Sequence, residues 1–589
     1  MSDIYQKLLE VDLETGQLHS RTIDQALSRD YVGGSALAAR MFFDICDPAV
    51  GPLDPANPLY VMTGPLVGTT FPGSSRFVVC SRSPLTGWWG ESASGGTFGA
   101  ELKKAGLDGI VIRGRAAKPA YLLIDNQKVS LEEAGSLWGL DTYATIDNLN
   151  AQHGPKPPVR ILTIGPAGEN QVKFAAIGND KAHYFGRTGM GAVMGSKNLK
   201  AIAVRGKTKP DIADPEALKA VVKFGVQNFP GSNVAGLGKY GTAATVAVQQ
   251  KMGGLPSYNF NSGVFDGWES IDGLTMYDKF LVGAKDNKQK AKGRDTCFGC
   301  MVRCKRVVEI KDGPFTVDPL YGGPEYETVC TFGSYCGVDN LAAVCKANEI
   351  CNRHGMDTIT CGATIAWAME AFEAGKLTTE HTGGIEIRFG DAETMVQLTE
   401  MIAQREGFGD ILAEGSAHAA EKLGLGEEFL VTSKGQETAA HMPQMKSAMA
   451  LIYAVNPFGS DHMSCDHDFI YTADTYGAFK ERYEPIGLSS PVPARSLASD
   501  KVEFVRKTQH LYSMMDSLNM CQFVWGASWQ LYGPEQMVQM IQAVTGWDVT
   551  IQELMTVGER RLNLMRLFNA REGFDFKQDT LPEKFLARG

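Results

Sequence analysis

The chain has 589 residues, with Lys+Arg 57 against Asp+Glu 67. The net charge of −10 excludes a broadly cationic protein built to neutralise a nucleic-acid backbone. Hydrophobic residues make up 44% and charged residues 21%, the balance of a folded globular chain and too apolar for a disordered one. No uncharged apolar run reaches the ~18 residues of a membrane span, and the first residues lack the basic and apolar segments of a signal peptide. Twelve cysteines are far too few for a disulfide scaffold, so a cytoplasmic protein with reduced thiols is expected. Glycine, at 65 residues, is in excess and calls for backbone that approaches something closely.

Residues 1–208 read mainly as β-structure. Leu8–Leu13 and Leu18–Ile23 flank Glu14-Thr-Gly-Gln17 as a hairpin. Short apolar runs follow at Leu59–Met62, Arg76–Cys80, Gly109–Ile112, Ala120–Ile124, Val159–Ile164 and Ala201–Val204, punctuated by Gly and Pro. The polar, Pro-bearing stretch Thr208–Pro215 marks a boundary. Helical periodicity then predicts helices over Glu216–Phe229, Asp339–Gly355, Thr358–Gly375, Asp391–Glu406, Asp410–Gly424 and Ser499–Asn519. The expectation is an α+β protein: a β-rich domain over 1–208 and two mainly helical domains over 209–430 and 431–589. No tandem repeat is apparent.

The sharpest local signal is Cys297-Phe-Gly-Cys300-Met-Val-Arg-Cys304. Three thiolates at this spacing can wrap one face of a soft-metal cluster, and an iron–sulfur cubane takes four. Cys521, just past a predicted helix, is the candidate for the fourth. Spacing alone leaves a [4Fe–4S] cluster, a structural zinc and unligated thiols open. The other eight cysteines read as small core residues. Three Gly-rich segments, Phe71–Arg76, Ser92–Gly96 and Gly186–Gly195, look built to bring amide N–H groups and the forks of Arg76 and Arg187 to a polyanion. None has a Walker A lysine or sits in a dinucleotide-binding context. Asn352-Arg-His-Gly-Met-Asp357 and Asp516-Ser-Leu-Asn-Met-Cys521 share a six-residue frame, which suggests two similar half-sites for a ligand used twice.

Taken together, these residues resemble the tungsten-containing aldehyde:ferredoxin oxidoreductases along essentially the whole chain. The resemblance is carried by Gly64-Pro-Leu-Val-Gly68, Arg76, Ser94–Gly106, Gly165-Pro-Ala-Gly-Glu-Asn170, Gly189–Ala201, the cysteine trio, Gly323-Pro-Glu-Tyr-Glu327 and Arg405–Asp410. It implies a tungsten (or molybdenum) held by two pyranopterins, a Mg²⁺ bridging the pterin phosphates, and one [4Fe–4S] cluster on Cys297, Cys300, Cys304 and Cys521. Pterin contacts carried over are Arg76, Ala93, Gly95, Gly186 and Arg187, with His183 and Tyr184 in the same loop. The two frames add Asn352, Met356 and Asp357, and Asp516, Met520 and Gln522. The positions matching the family's inter-subunit iron ligands are Lys346 and Val396, so that iron is not expected.

The resemblance further implies oxidation of small aldehydes to carboxylates, or the reverse. Electrons would pass to ferredoxin or an iron–sulfur partner subunit, in a homo- or hetero-oligomer. Glu327 is the expected base toward water and Glu325 its fallback, while His462 would hydrogen-bond the substrate oxygen or an oxo ligand. His441, His467 and His354 carry no individual signal, and the methionines between Met442 and Met515 read as core. The basic run Lys285–Arg294 reads as a solvated loop, with docking of an acidic ferredoxin as the alternative. A second reading keeps the cofactor in a larger electron-transfer complex with another low-potential reaction, such as benzoyl-CoA ring reduction. A third is a non-catalytic, zinc-stapled binding protein.

Overall fold

The computed structural model describes residues 6–154, 157–283 and 293–586. The basic run before Cys297 lies outside the described residues except for Arg294, which sits in a two-residue strand paired with Lys305–Arg306.

The N-terminal part holds two six-stranded sheets. The first is built from β1 (Lys7–Asp12), β2 (Gln17–Thr22), β3 (Leu59–Met62), β4 (Phe77–Arg82), β5 (Trp89–Ser94) and β6 (Gly109–Arg113). The second uses β7 (Ala120–Asp125), β8 (Lys128–Glu133), β9 (Arg160–Thr163), β10 (Ile177–Asn179), β11 (His183–Phe185) and β12 (Leu199–Arg205). Their strand orders are β2-β1-β6-β3-β4-β5 and β11-β10-β9-β12-β7-β8. Read in opposite directions these are one topology twice. Each has a hairpin, then a three-strand meander, then a last strand inserted parallel to the first and antiparallel to the third. No tandem repeat is apparent in the sequence; the repeat lies in the topology.

Alternation along the strands explains the layering, since successive side chains point to opposite faces. Leu9, Val11, Val61, Val79, Ile110 and Ile112 of the first sheet meet Leu122, Ile124, Leu162, Ile177, Ile202 and Val204 of the second in one apolar layer. The outer face of the first sheet (Leu8, Tyr60, Met62, Val78, Val111) is covered by the helix Gly34–Ile45 and by the long helix Ile551–Arg571. Within that layer Phe42 packs edge-on to Trp89 and Phe568, with ring centroids 5.3 and 5.1 Å apart. Fully burying such a side chain is worth ~1.5–3 kcal/mol. The outer face of the second sheet carries the helix Thr142–His153. The expectation of mainly β-structure here therefore omits two 12-residue helices. Thr142–His153 does carry a start signal, Asp141, whose side chain caps Ala144 N.

Beyond residue 208 the predicted helices appear as Pro215–Asn228, Leu341–His354, Thr358–Glu373, Ala392–Gln404 and Ser499–Leu518. The continuous helix expected over Asp410–Gly424 is instead two, Phe408–Leu412 and Ser416–Leu423, because Gly415 at φ +86° turns the chain. Leu218, Val221, Val234 and Leu237 pack with apolar residues of 439–557, so the first helical segment after the boundary joins the C-terminal packing. No helix among the described residues is long and apolar enough to cross a membrane.

Candidate active site

The two six-residue frames are one backbone device used twice. The helix Leu341–His354 ends on Gly355 at φ +75°, and Met356 N–H returns to Cys351 O at 2.8 Å. The helix Ser499–Leu518 ends on Asn519 at φ +58°, and Met520 N–H returns to Met515 O at 2.8 Å. Left-handed Gly or Asn after a helix is the common way to close its last carbonyls. The next residue, Asp357 or Cys521, caps the following helix and donates its N–H to the β-base: Asp357 to Phe174 O at 3.0 Å, Cys521 to Gly73 O at 2.7 Å. Glycine lets the helix ends approach. A Cβ on Gly64 would stand 2.5 Å from Leu518 O, and one on Gly165 would clash with His354 O. Gly64-Pro65 follows β3 and Gly165-Pro166 follows β9, equivalent places in the two sheets.

Between these ends lies a cavity of about 580 Å³, within the usual range for a ligand site. Its wall brings together Arg76, Ala93, Gly95, His183, Tyr184, Gly186, Arg187, Asp357, Asp516 and Gln522, together with Cys297, Cys300, Cys304, Cys521, Glu327 and His462. Three predicted contacts do not reach it. Asn352 turns its amide to Tyr321 O at 2.8 Å, and Met356 and Met520 are buried in the apolar layers behind the wall. Ser92 to Ser94 end β5 and line the cavity with Gly95, while of Gly186–Gly195 only Gly186 and Arg187 do, the helix Met190–Ser196 using Gly191 and Gly195 for close packing.

Cys297, Cys300, Cys304 and Cys521 are the four cysteines that are not fully buried; the other eight are. Their loop rests on both Gly-rich turns. Phe298 N–H donates to Gly96 O at 3.0 Å, and a Cβ on Gly95 would meet Cys297 Sγ at 2.5 Å. Burial pushes the Cys300 thiol up to about 12, and a Cys521 thiolate adds to it. Burial also opposes ionisation of Cys297, but His183, whose Nε2 lies 3.4 Å from the sulfur, the Gly96 backbone and Arg76 bring it down to about 6. Sulfurs that raise one another's pKa are sulfurs a shared cation would relieve.

Polar groups in the wall want a ligand. Arg187 pairs through Nε with Asp357 Oδ2 at 3.1 Å and donates from Nη2 to Glu437 O, yet its buried Nη1 has no hydrogen-bond partner among the described residues. Gln522 Oε1 is likewise unpartnered. Asp516 lies 3.4 Å from Arg561, which also holds Glu91 at 2.8 Å; burial pushes the Asp516 carboxyl up to about 7, against Arg561. Unsatisfied buried donors and acceptors are costly and fit a polar, anionic heterocycle.

Glu327, on the short helix Tyr326–Val329, accepts the Ala440 N–H on Oε2 at 2.7 Å. Its Oε1 faces His441 Nε2 at 3.3 Å and His462 Nε2 at 3.5 Å. His462 Nδ1 has no hydrogen-bond partner among the described residues. The fallback Glu325 is engaged elsewhere, by Lys305 at 2.8 Å and by Thr242. Sequence reasoning missed His441, His467 and Lys446, which also line the cavity. They sit in loops or at a helix start with no periodicity or spacing to single them out.

The family model described as aldehyde ferredoxin oxidoreductase, N-terminal domain, matches residues 8–206, and the one described as aldehyde ferredoxin oxidoreductase, domains 2 & 3, matches 220–589. The chain is 37% identical over 587 residues to a tungsten-containing aldehyde ferredoxin oxidoreductase of Pyrococcus furiosus, covering 98% of this chain and 91% of the relative. It is 28% identical to an aliphatic sulfonate oxidoreductase, WOR-like subunit, of the same organism, covering 98% and 89%. Among solved structures, the active site complex BamBC of benzoyl coenzyme A reductase with 1,5-dienoyl-CoA shares the fold. Its TM-score is 0.83 at 23% identity, covering 99% of this chain and 92% of that one. With both family models and a relative of this identity spanning the fold just described, the chain belongs to the aldehyde ferredoxin oxidoreductase family.

Proposed function

We propose that this chain is a tungsten (or molybdenum) bis-pyranopterin oxidoreductase of the cytoplasm that oxidises aldehydes to carboxylates or runs the reverse. Electrons pass through a [4Fe–4S] cluster on Cys297, Cys300, Cys304 and Cys521 to ferredoxin or an iron–sulfur partner subunit. The observation that carries this reading is a single cavity lined at once by four cysteine sulfurs, by both helix-end frames and by a carboxylate between two imidazoles. One pterin is held by each frame, with Asp357 and Arg187 on one side and Asp516, Gln522 and Arg76 on the other; Mg²⁺ at the pterin phosphates belongs to the same reading.

When bound, the metal supplies Lewis acidity and accepts two electrons. The residues supply proton handling and orientation. Glu327, held by Ala440 N–H, removes a proton from the water that attacks the aldehyde carbon. His462, its Nδ1 free of protein partners, donates to the substrate oxygen. Aldehyde and water become acid, two protons and two electrons.

Anaerobically purified protein is expected to hold about one W or Mo and about four Fe per chain; zinc without iron would overturn the reading. Glu327→Gln is expected to keep the metals and lower kcat by about 10²–10⁴ in a viologen assay over an aldehyde panel. Wild-type turnover would remove Glu327 from its role. The second reading, a subunit of a larger low-potential complex, has in its favour that the structural neighbour is itself described as a complex. Copurifying redox subunits together with inactivity on every aldehyde would select it.

A further inference from the structure

Lys446 is 1% exposed and lines the cavity. Among the described residues it forms no ion pair. The acid that acts on it most strongly, Asp468, is already held by Lys501 Nζ and by Ala448 N–H. The partners of Lys446 Nζ are two imidazole nitrogens, His441 Nδ1 at 2.9 Å and His467 Nδ1 at 3.2 Å. The Phe469 ring, its centroid 5.2 Å from Nζ, adds a cation–π contact, but a buried cation without a carboxylate of its own is costly and asks for a reason.

The chemistry of imidazole supplies it. An ammonium can only donate, so each ring nitrogen facing it must be the bare acceptor. The proton of each ring is then on Nε2. For His441 that nitrogen stands 3.3 Å from Glu327 Oε1, a buried oxygen that accepts no hydrogen bond among the described residues; for His467 it faces the carbonyl of His462 at 3.1 Å. Both are acceptors that need an N–H. Burial, the Lys446 charge and His462 together keep His441 neutral.

We propose that Lys446 is a positioning residue. Its ammonium fixes His441 and His467 with their protons on Nε2, so that His441 orients the Glu327 carboxylate and His467 anchors the backbone of His462. The inference rests on Glu327 acting as the base, and adds what holds that base in register. With the wrong tautomer His441 would turn a lone pair toward Glu327 Oε1, leaving that oxygen only the longer 3.5 Å approach of His462 Nε2 while Oε2 keeps Ala440 N–H.

The lock depends on charge, because a neutral amine can also accept and so tolerates either tautomer. Burial brings Lys446 down to about 7, while Asp468, Glu327 and Cys465 act the other way. The neighbours that set its titration are therefore those three, the rings of His441, His467 and His462, and Lys501 behind Asp468. Turnover is expected to fall on the alkaline side as the ammonium is lost.

The test uses the metal-loaded protein. Lys446→Met is expected to keep iron and tungsten, to lower kcat by about 10²-fold with KM little changed, and to lose the alkaline limb. Independently of turnover, ¹⁵N spectra of histidine-labelled, fully oxidised protein should show His441, assigned by its absence in His441→Gln, protonated on Nε2. In Lys446→Met the same signal should split between tautomers. Should Lys446→Met fail to accumulate, the native spectrum alone decides, and a proton on Nδ1 overturns the proposal. Wild-type kcat and pH profile in Lys446→Met also overturn it, and leave the functional reading intact if Glu327→Gln is inactive. An active Glu327→Gln instead removes the reading on which the proposal rests.

Discussion

The two helix-end frames have the same backbone and different chemistry at the capping residue. Asp357 uses its carboxylate inside the protein, accepting from Ile359 and Thr360 N–H and pairing with Arg187. Cys521 makes no side-chain cap, and its sulfur stands with three other thiols at the cavity. The acid of the second frame is displaced to Asp516, one turn earlier, where Arg561 holds it. In both frames the residue two places past the left-handed one stands at the cavity wall. What that side chain does is then a matter of one substitution, an ion-paired helix cap in one half and a thiol at the cavity in the other.

The largest effect expected from this contrast is at Cys521. Cys521→Ser should abolish the reducible cluster signal in electron paramagnetic resonance, whereas Asp357→Asn should leave iron content unchanged. A retained signal in Cys521→Ser would end the assignment of the fourth ligand. Next comes Asp357→Ala, which removes a cap and strands the part-buried Arg187; a loss of about 3 kcal/mol in denaturant unfolding is expected. The equivalence of the halves is sharpened by Gly64→Ala and Gly165→Ala, each driving a methyl into the carbonyl end of one frame helix. Each should cost ~1–3 kcal/mol, and a large effect in only one would break the equivalence. The smallest change is expected for Asn519→Gly, which keeps the left-handed turn and loses the Asn519 Nδ2 bond to Asp516 O. It should shift stability by less than about 1 kcal/mol.

Much of this was legible in the sequence where information is local. The hairpin β1–β2, the run Leu59–Met62 and the helices flanking Asp357 announce themselves by period and by cap. The cysteine trio is readable because its spacing is short. The pairing of Leu8 with Gly109, or of Leu122 with Ile202, is not, since nothing in a strand names a partner so far along the chain. The same holds for the site. Glu327 and His462 entered through the family resemblance. His441, His467 and Lys446 acquire meaning only once three separate segments meet, and an imidazole in a loop gives no sign of which nitrogen will face a cation.

The inserted strands have a consequence for the chain as it is made. In each sheet the last strand, β6 or β12, fills the gap between the first and the third. Until residues Gly109–Arg113 leave the ribosome, both β1 and β3 present an open edge, and the wait recurs between β7 and β9 until Leu199–Arg205 arrive. Unpaired edges are where nascent chains stick to one another. The same topology that sets Gly64 and Gly165 at equivalent places thus gives the growing polypeptide two windows of vulnerability, each closed by a single short strand.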